Sequence, residues 1–214
     1  MLKKIILGLL LFSSLWGFSQ GSLQETSVSI PYLSFSYGAY IPGGDLDERF
    51  GFTNFLGLSF NYKSPKNLVL GLGGGMFFGN DVREPNLLHA MRNQNGQILD
   101  DNAIESIVLF TQRGFAISVE IGKVVKIGNI NPNTGLLFKL GLGYNQNKIR
   151  IENQENMIPQ LSKEIKQFYD RQTGGFLLTE FIAYQFFSNK GLANFNAGFE
   201  FMQGFNSDLR SYNI

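Results

Sequence analysis

The sequence predicts an all-β chain, an antiparallel up-and-down transmembrane β-barrel of about eight strands with seven of them evident. Three observations carry that expectation. Apolar residues alternate with small or polar ones in segment after segment. The connections between those segments are alternately short and long. A short apolar stretch of export type precedes them all.

The N-terminus reads as a cleavable signal peptide, residues 1–20, which leaves residues 21–214 as one barrel domain. Lys3 and Lys4 supply the positive start and residues 5–16 the apolar stretch. Gly17-Phe18-Ser19-Gln20 forms a cleavage region ending near Gln20. The apolar stretch is shorter than the roughly 20 residues that a permanent helical span needs. No later run reaches that length, which argues against a helical membrane protein. The chain has no cysteine, so disulfides, thiolate metal sites and a lipid-modified N-terminus are excluded.

Successive side chains on a strand point to opposite faces, so each alternating segment has a facing that can be read. The first strand, residues 32–41, sets Leu33, Phe35, Tyr37 and Ala39 against Ser34, Ser36 and Gly38. The second, residues 54–62, sets Leu56, Leu58, Phe60 and Tyr62 against Gly57, Ser59 and Asn61. The third, residues 67–78, sets Leu68, Leu70 and Leu72 against Gly71, Gly73 and Gly75. In the fourth, Phe115, Ile117, Val119 and Ile121 oppose Ala116, Ser118, Glu120 and Gly122. The fifth, residues 134–147, has Leu136, Phe138, Leu140, Leu142 and Tyr144 on one face and Lys139, Gly141, Gly143 and Asn145 on the other. The sixth, residues 176–187, is less regular; Glu180 is read as facing inward, with Ile182 and Tyr184 beside it, and a bulge would change that register. The seventh sets Phe195, Ala197, Phe199 and Phe201 against Asn194, Asn196, Gly198 and Glu200, and ends near Phe205.

Composition agrees with this facing. Charged residues are 16% of the chain against about 25% in an ordinary soluble domain, while Gly contributes 25 residues. Low charge with many Phe and Gly suits a wall that meets lipid outside and packs closely inside. A soluble eight-stranded lipid carrier inverts these faces, with its apolar residues inside. A formal net charge of +1 offers no electrostatic case for nucleic acid.

Lys63-Ser64-Pro65-Lys66, Asn131-Pro132-Asn133 and Ser188-Asn189-Lys190-Gly191 are short connections. Residues 42–52, 80–112 and 151–173 are long ones. Short periplasmic turns and long extracellular loops are the habit of outer-membrane barrels. Such barrels carry an even number of strands, and residues 206–214 show no alternation. Either one strand goes unread, or the sequence stops before the closing one. The second is the expectation, because an unsatisfied sheet edge is costly in lipid.

The inward face would carry Glu120, Lys139, Glu200 and Glu180 as a polar network plugging a lumen just wide enough for side chains. A gated conduit for protons or small ions is the sharper alternative. His89, the only histidine, shares the second long loop with Ser106, Asp100 and Asp101. Their spacing supports no triad and there is no Gly-x-Ser-x-Gly elbow, so no catalytic residue is assigned. Asp45, Asp47 and Glu48 follow a Pro-Gly turn without the order of a calcium-ligand series, so no metal or other cofactor is assigned. In the third loop Ile158, Leu161, Ile165 and Phe168 recur at helical spacing, as a lid on the rim or as a docking face for a partner. Asn95-Gly96 marks a tight turn, with residues 98–110 carrying the chain back.

These residues resemble a family. Tyr-Gly-Ala-Tyr-Ile-Pro-Gly-Gly-Asp-Leu over residues 37–46, Gln112-Arg113-Gly114-Phe115, Tyr169-Asp170-Arg171 before Gly174-Gly175, Phe181-Ile182-Ala183-Tyr184-Gln185 and Gly198-Phe199-Glu200-Phe201 are similar to segments of the Bacteroidota outer-membrane β-barrel proteins. The resemblance spans nearly the whole chain after cleavage, and its motifs are structural. It implies an integral outer-membrane location and contacts with outer-membrane lipid and with outer-membrane or periplasmic proteins. It also implies a role such as that of barrels serving secretion or membrane-assembly machines, the type IX secretion apparatus among them. It supplies no catalytic residue. The leading expectation is a plugged barrel acting through its second and third loops, and the alternative is a narrow channel. On this facing Leu140→Arg blocks membrane assembly while Lys139→Gln is tolerated.

Overall fold

Strict alternation gives each segment one apolar and one small or polar face, and the backbone satisfies such segments by pairing them edge to edge. The computed structural model describes residues 26–84, 86–100, 102–128, 131–153, 158, 161–188 and 194–212. The segment read as a signal peptide lies outside the described residues.

The seven strands are β1 (Ile30–Tyr40), β2 (Thr53–Lys63), β3 (Leu68–Gly79), β4 (Val108–Lys126), β5 (Gly135–Asn153), β6 (Thr173–Phe187) and β7 (Asn194–Asp208). They form one sheet in chain order, and every neighbouring pair is antiparallel. Among the described residues the helical elements are short: α1 (Asp45–Arg49), a 3-10 turn at His89–Met91 and α2 (Lys163–Lys166). Among the described residues there is no eighth strand in the sheet. The seventh runs further than its alternation suggests, to Asp208, opposite Thr173 of β6.

Tyr40 on β1 donates a hydrogen bond to the Glu200 carboxylate on β7, and the Tyr32 ring meets Phe187 of β6 edge-on at 5.4 Å. The sheet is therefore curved enough for its first and last strands to face one another across a concave interior. Side chains at alternate positions point into it. On β2, Thr53, Phe55, Gly57, Asn61 and Lys63 are buried while Leu56, Leu58, Phe60 and Tyr62 are exposed. The convex face is an apolar field carrying, among others, Phe35, Leu72, Ile117, Leu140 and Phe199.

β6 corrects the sequence reading. Glu180 lies opposite Leu140 of β5 and Phe201 of β7, both exposed, so its carboxylate is on the convex face. Ile182 and Tyr184 share that face. The inward residues are Leu177, Thr179, Phe181, Ala183, Gln185 and Phe187, without a bulge. Packing decides it: Leu177 fills a layer with Phe55, Phe77 and Ala116, and Phe181 lies under Lys139.

The long connections lie at one end and fold together. Phe50 from the first, Leu87, Leu88 and Ile98 from the second, and Ile158, Leu161 and Tyr169 from the third share a small apolar core with Ile149 and Ile151 of β5. At the opposite end the turns are tight. Asn67 adopts φ 61, a left-handed conformation that asparagine tolerates, and its carbonyl accepts from Val124 N at 2.8 Å.

Candidate functional site on the concave face

The interior is stratified along the strands. Below the loop core, Thr53 Oγ1 donates to Gln112 Oε1 at 2.6 Å, and Gln112 Nε2 to Asn147 Oδ1 at 3.3 Å. An aromatic layer follows, with the Phe55 and Phe77 ring centroids 4.8 Å apart and Tyr40 edge-on to both. Next come the charged residues. Val69, Val124 and Leu137 then form a second apolar layer, with Phe181 packed against it. At the turn end, Lys63 is fully buried, and its ammonium donates to Asn133 Oδ1 at 2.8 Å, Ser27 Oγ at 3.1 Å and the carbonyls of Val28 and Ser64. Asn133 Oδ1 also accepts from Val28 N at 3.1 Å, tying the segment before β1 across that end.

The charged layer is the candidate site. Lys139 on β5 lies opposite Gly122, and Glu120 on β4 opposite Gly141, so the two side chains meet on a diagonal. Lys139 Nζ donates to Glu120 Oε2, Ser118 Oγ donates to Glu120 Oε1 at 3.3 Å, and the ammonium sits 4.8 Å from the centre of the Phe181 ring. Glycine makes the room. A Cβ on Gly141 would lie 2.3 Å from Thr179 Oγ1 and 3.0 Å from Glu120 Cγ, and one on Gly71 would lie 2.7 Å from Asn61 Oδ1. Glu200 faces the same space from β7 and accepts from Tyr40.

The cavity left among these groups is about 90 Å³, bounded by polar side chains such as Ser34, Ser59, Asn61 and Thr179. Small-molecule sites run from roughly 300 to 1,000 Å³, so this space suits a few waters rather than a substrate. Asn61 Oδ1 is buried there without a protein partner, a group that water would satisfy.

Of the inward residues expected from the sequence, Glu120, Lys139 and Glu200 come together and Glu180 does not. Sequence reasoning misses Tyr40, Phe55, Phe77, Phe181 and Lys63 as members of this interior, although strand parity carries each of them inside. Of the third-loop residues expected as a lid or as a docking face, Ile158 and Leu161 are 2% and 3% exposed within the loop core, and Ile165 and Phe168 pack against it. These four residues pack with the other long connections at the loop end, as a lid would. Ile165 and Phe168 remain half-buried, with the Phe168 ring edge-on to Tyr212.

His89 is exposed on its 3-10 turn, and among the described residues no hydrogen bond joins it to Ser106 or Asp100; Asp101 lies outside them. Asp47 is paired with Arg83, which also lies 3.7 Å from Asp81. No family model matches this chain, nor does any curated protein or solved structure.

Proposed function

We propose that this chain is an integral outer-membrane β-barrel with a plugged lumen, acting as a structural or accessory subunit of an outer-membrane assembly such as a secretion or membrane-protein-assembly machine. The observation that carries the reading is one sheet with two opposed faces: apolar stripes on the outside of all seven strands, and a filled interior with a buried ion pair. Lipid on the outside removes the cost of exposing Leu and Phe on every strand. The connections support the same orientation, with tight turns at one end and long, packed loops at the other.

A filled interior favours association over passage. A narrow channel lined by Glu120, Lys139 and Glu200 would need an aqueous path through two apolar layers and the loop core. One loop surface open to a partner lies in the second loop. There Ser106 N donates to Ile98 O at 2.9 Å and Asp100 N to Ile104 O at 2.8 Å, folding a small hairpin. Ile104, Ile107 and Leu109 are exposed on and behind that hairpin.

Mild-detergent purification from the native locus, with a tag in an exposed loop and companions identified by mass, tests the subunit role. Stoichiometric outer-membrane or periplasmic companions are expected, and a clean monomer overturns it. Planar-bilayer recording tests the plug: a closed baseline is expected, and steady open steps overturn it.

A further inference from the structure

A belt of rings crosses the convex face near the loop end. The Phe115 and Tyr144 ring centroids lie 6.0 Å apart, as do those of Phe176 and Phe205, and Tyr144 of β5 faces Phe176 of β6. Aromatic girdles of this kind mark the border between hydrocarbon and headgroups. β4 and β5 run on past the belt, paired as far as Val108 and Asn153. Beyond it their outward positions turn from apolar to charged, with Arg113 on β4 and Lys148, Arg150 and Glu152 on β5.

Arg113 and Lys148 are direct cross-strand partners. Side chains so placed start about 5 Å apart, and like charges directly opposite one another are destabilising. Among the described residues neither joins an ion pair. The carboxylates near them serve other cations: Glu152 pairs with Arg150 at 2.6 Å, and Asp170 with Arg210. Arg113 Nη1 donates to the Gln112 carbonyl at 2.7 Å, which engages only one end of the guanidinium. Two half-buried cations held side by side with no carboxylate between them favour an anion there.

We infer that Arg113 and Lys148 bind the phosphate of a lipid in the outer leaflet. The inference rests on the membrane reading above. Height selects the source of the phosphate. Arg113 lies two residues beyond Phe115, about 7 Å along the strand, which is the level of headgroups rather than of loop tips. The surface fits both halves of a lipid. The guanidinium can take two phosphate oxygens through paired N–H donors, and the ammonium supplies a point charge beside it. Below them Phe115, Ile117, Leu142 and Tyr144 offer exposed apolar surface to acyl chains. A soluble phosphate would use only the upper half.

The full chain is folded into phosphatidylcholine vesicles carrying increasing fractions of phosphatidate and extracted in mild detergent, and the lipid retained per protein is measured by mass. Stoichiometric phosphatidate is expected. Arg113→Gln and Lys148→Gln should each raise the half-saturating fraction about fivefold, as loss of one cation at a lipid surface does. Lys123→Gln removes an outward cation at the turn end of the same strand and should change nothing. Equal losses at Lys123 and at the pair would mean diffuse surface charge and overturn the site. Displacement of the retained lipid by inorganic phosphate would make it a soluble-anion site and overturn the lipid assignment. In phosphatidylcholine alone Lys148→Gln should unfold no more readily than the parent, since it relieves a like-charge pair. A loss of stability there would make the pair structural and overturn the proposal. Insertion without phosphatidate retention overturns this proposal alone, whereas failure to enter vesicles overturns the membrane reading and this proposal with it.

Discussion

Lys139 and Glu120 meet on a diagonal between β5 and β4, over the glycine that faces Glu120, with their side chains 13% and 10% exposed. The glycine rows that line this interior are the space the pair occupies. An ion pair so enclosed is costly to break and of little net benefit, because desolvation opposes the Coulomb gain.

A double-mutant cycle should display that asymmetry. Lys139→Met leaves Glu120 buried without its cation and should lower stability by about 3–5 kcal/mol. Lys139→Met combined with Glu120→Leu should lose clearly less than the single variant, since no charge is left stranded. Denaturant unfolding of the refolded protein in detergent reads both. A double variant that loses as much stability as Lys139→Met alone would show the pair to be stabilising in its own right.

Close approach of backbones makes some glycines irreplaceable. A Cβ on Gly143 of β5 would lie 2.0 Å from the Ile117 carbonyl oxygen on β4, and a strand backbone cannot yield as a side-chain tip can. Gly143→Ala should cost about 1–3 kcal/mol, as overpacking does. Gly43→Ala, where a Cβ meets nothing within 4 Å, should stay within about 0.5 kcal/mol of the parent. Equal effects at the two positions would refute the close approach of β5 to β4 at Gly143.

How far these features are legible in the sequence follows from their physics. Period two is a local property, so the apolar stripes of β1 to β5 and β7 can be read directly, and parity carries Glu120, Lys139 and Glu200 inside. The diagonal that joins Glu120 to Lys139 cannot be read, because register depends on turns and neighbours. Glu180 misleads because carboxylates are usually kept off apolar faces, and that expectation masks the parity of Leu177, Phe181 and Phe187. The loop core stays hidden because Phe50 and Ile149 are far apart in sequence and carry no shared period. Only the spacing of Ile158, Leu161, Ile165 and Phe168 hints at it, and a helical stripe does not say what it packs against.

Glu180 itself yields a prediction with opposite signs on the two facings. On the convex face, among Leu140, Phe201, Leu178 and Ile182, its carboxylate gains no partner among the described residues. Glu180→Leu should therefore stabilise the lipid-inserted protein, by less than the roughly 2–4 kcal/mol that a midplane Arg or Lys costs. An inward Glu180 would make the same substitution destabilising. Unfolding from phospholipid vesicles decides the sign.

Leu140 and Lys139 are neighbours in sequence and point to opposite faces, which makes them the sharpest test of the whole arrangement. Leu140 is exposed on the convex face, while Lys139 is enclosed beside Glu120 and Phe181. Leu140→Arg puts a guanidinium into the apolar band and should cost roughly 2–4 kcal/mol in lipid, enough to block assembly. Lys139→Gln removes a charge but keeps an N–H donor for Glu120, so assembly should persist with reduced stability. The readout is the fraction of each variant reaching a folded, protease-resistant form in liposomes, followed by denaturant unfolding of what has folded. Equal tolerance of the two substitutions would mean that the apolar face does not meet lipid, whatever the curvature of the sheet. Assembly by Leu140→Arg with failure of Lys139→Gln would invert the faces, as in a soluble carrier with an apolar cavity.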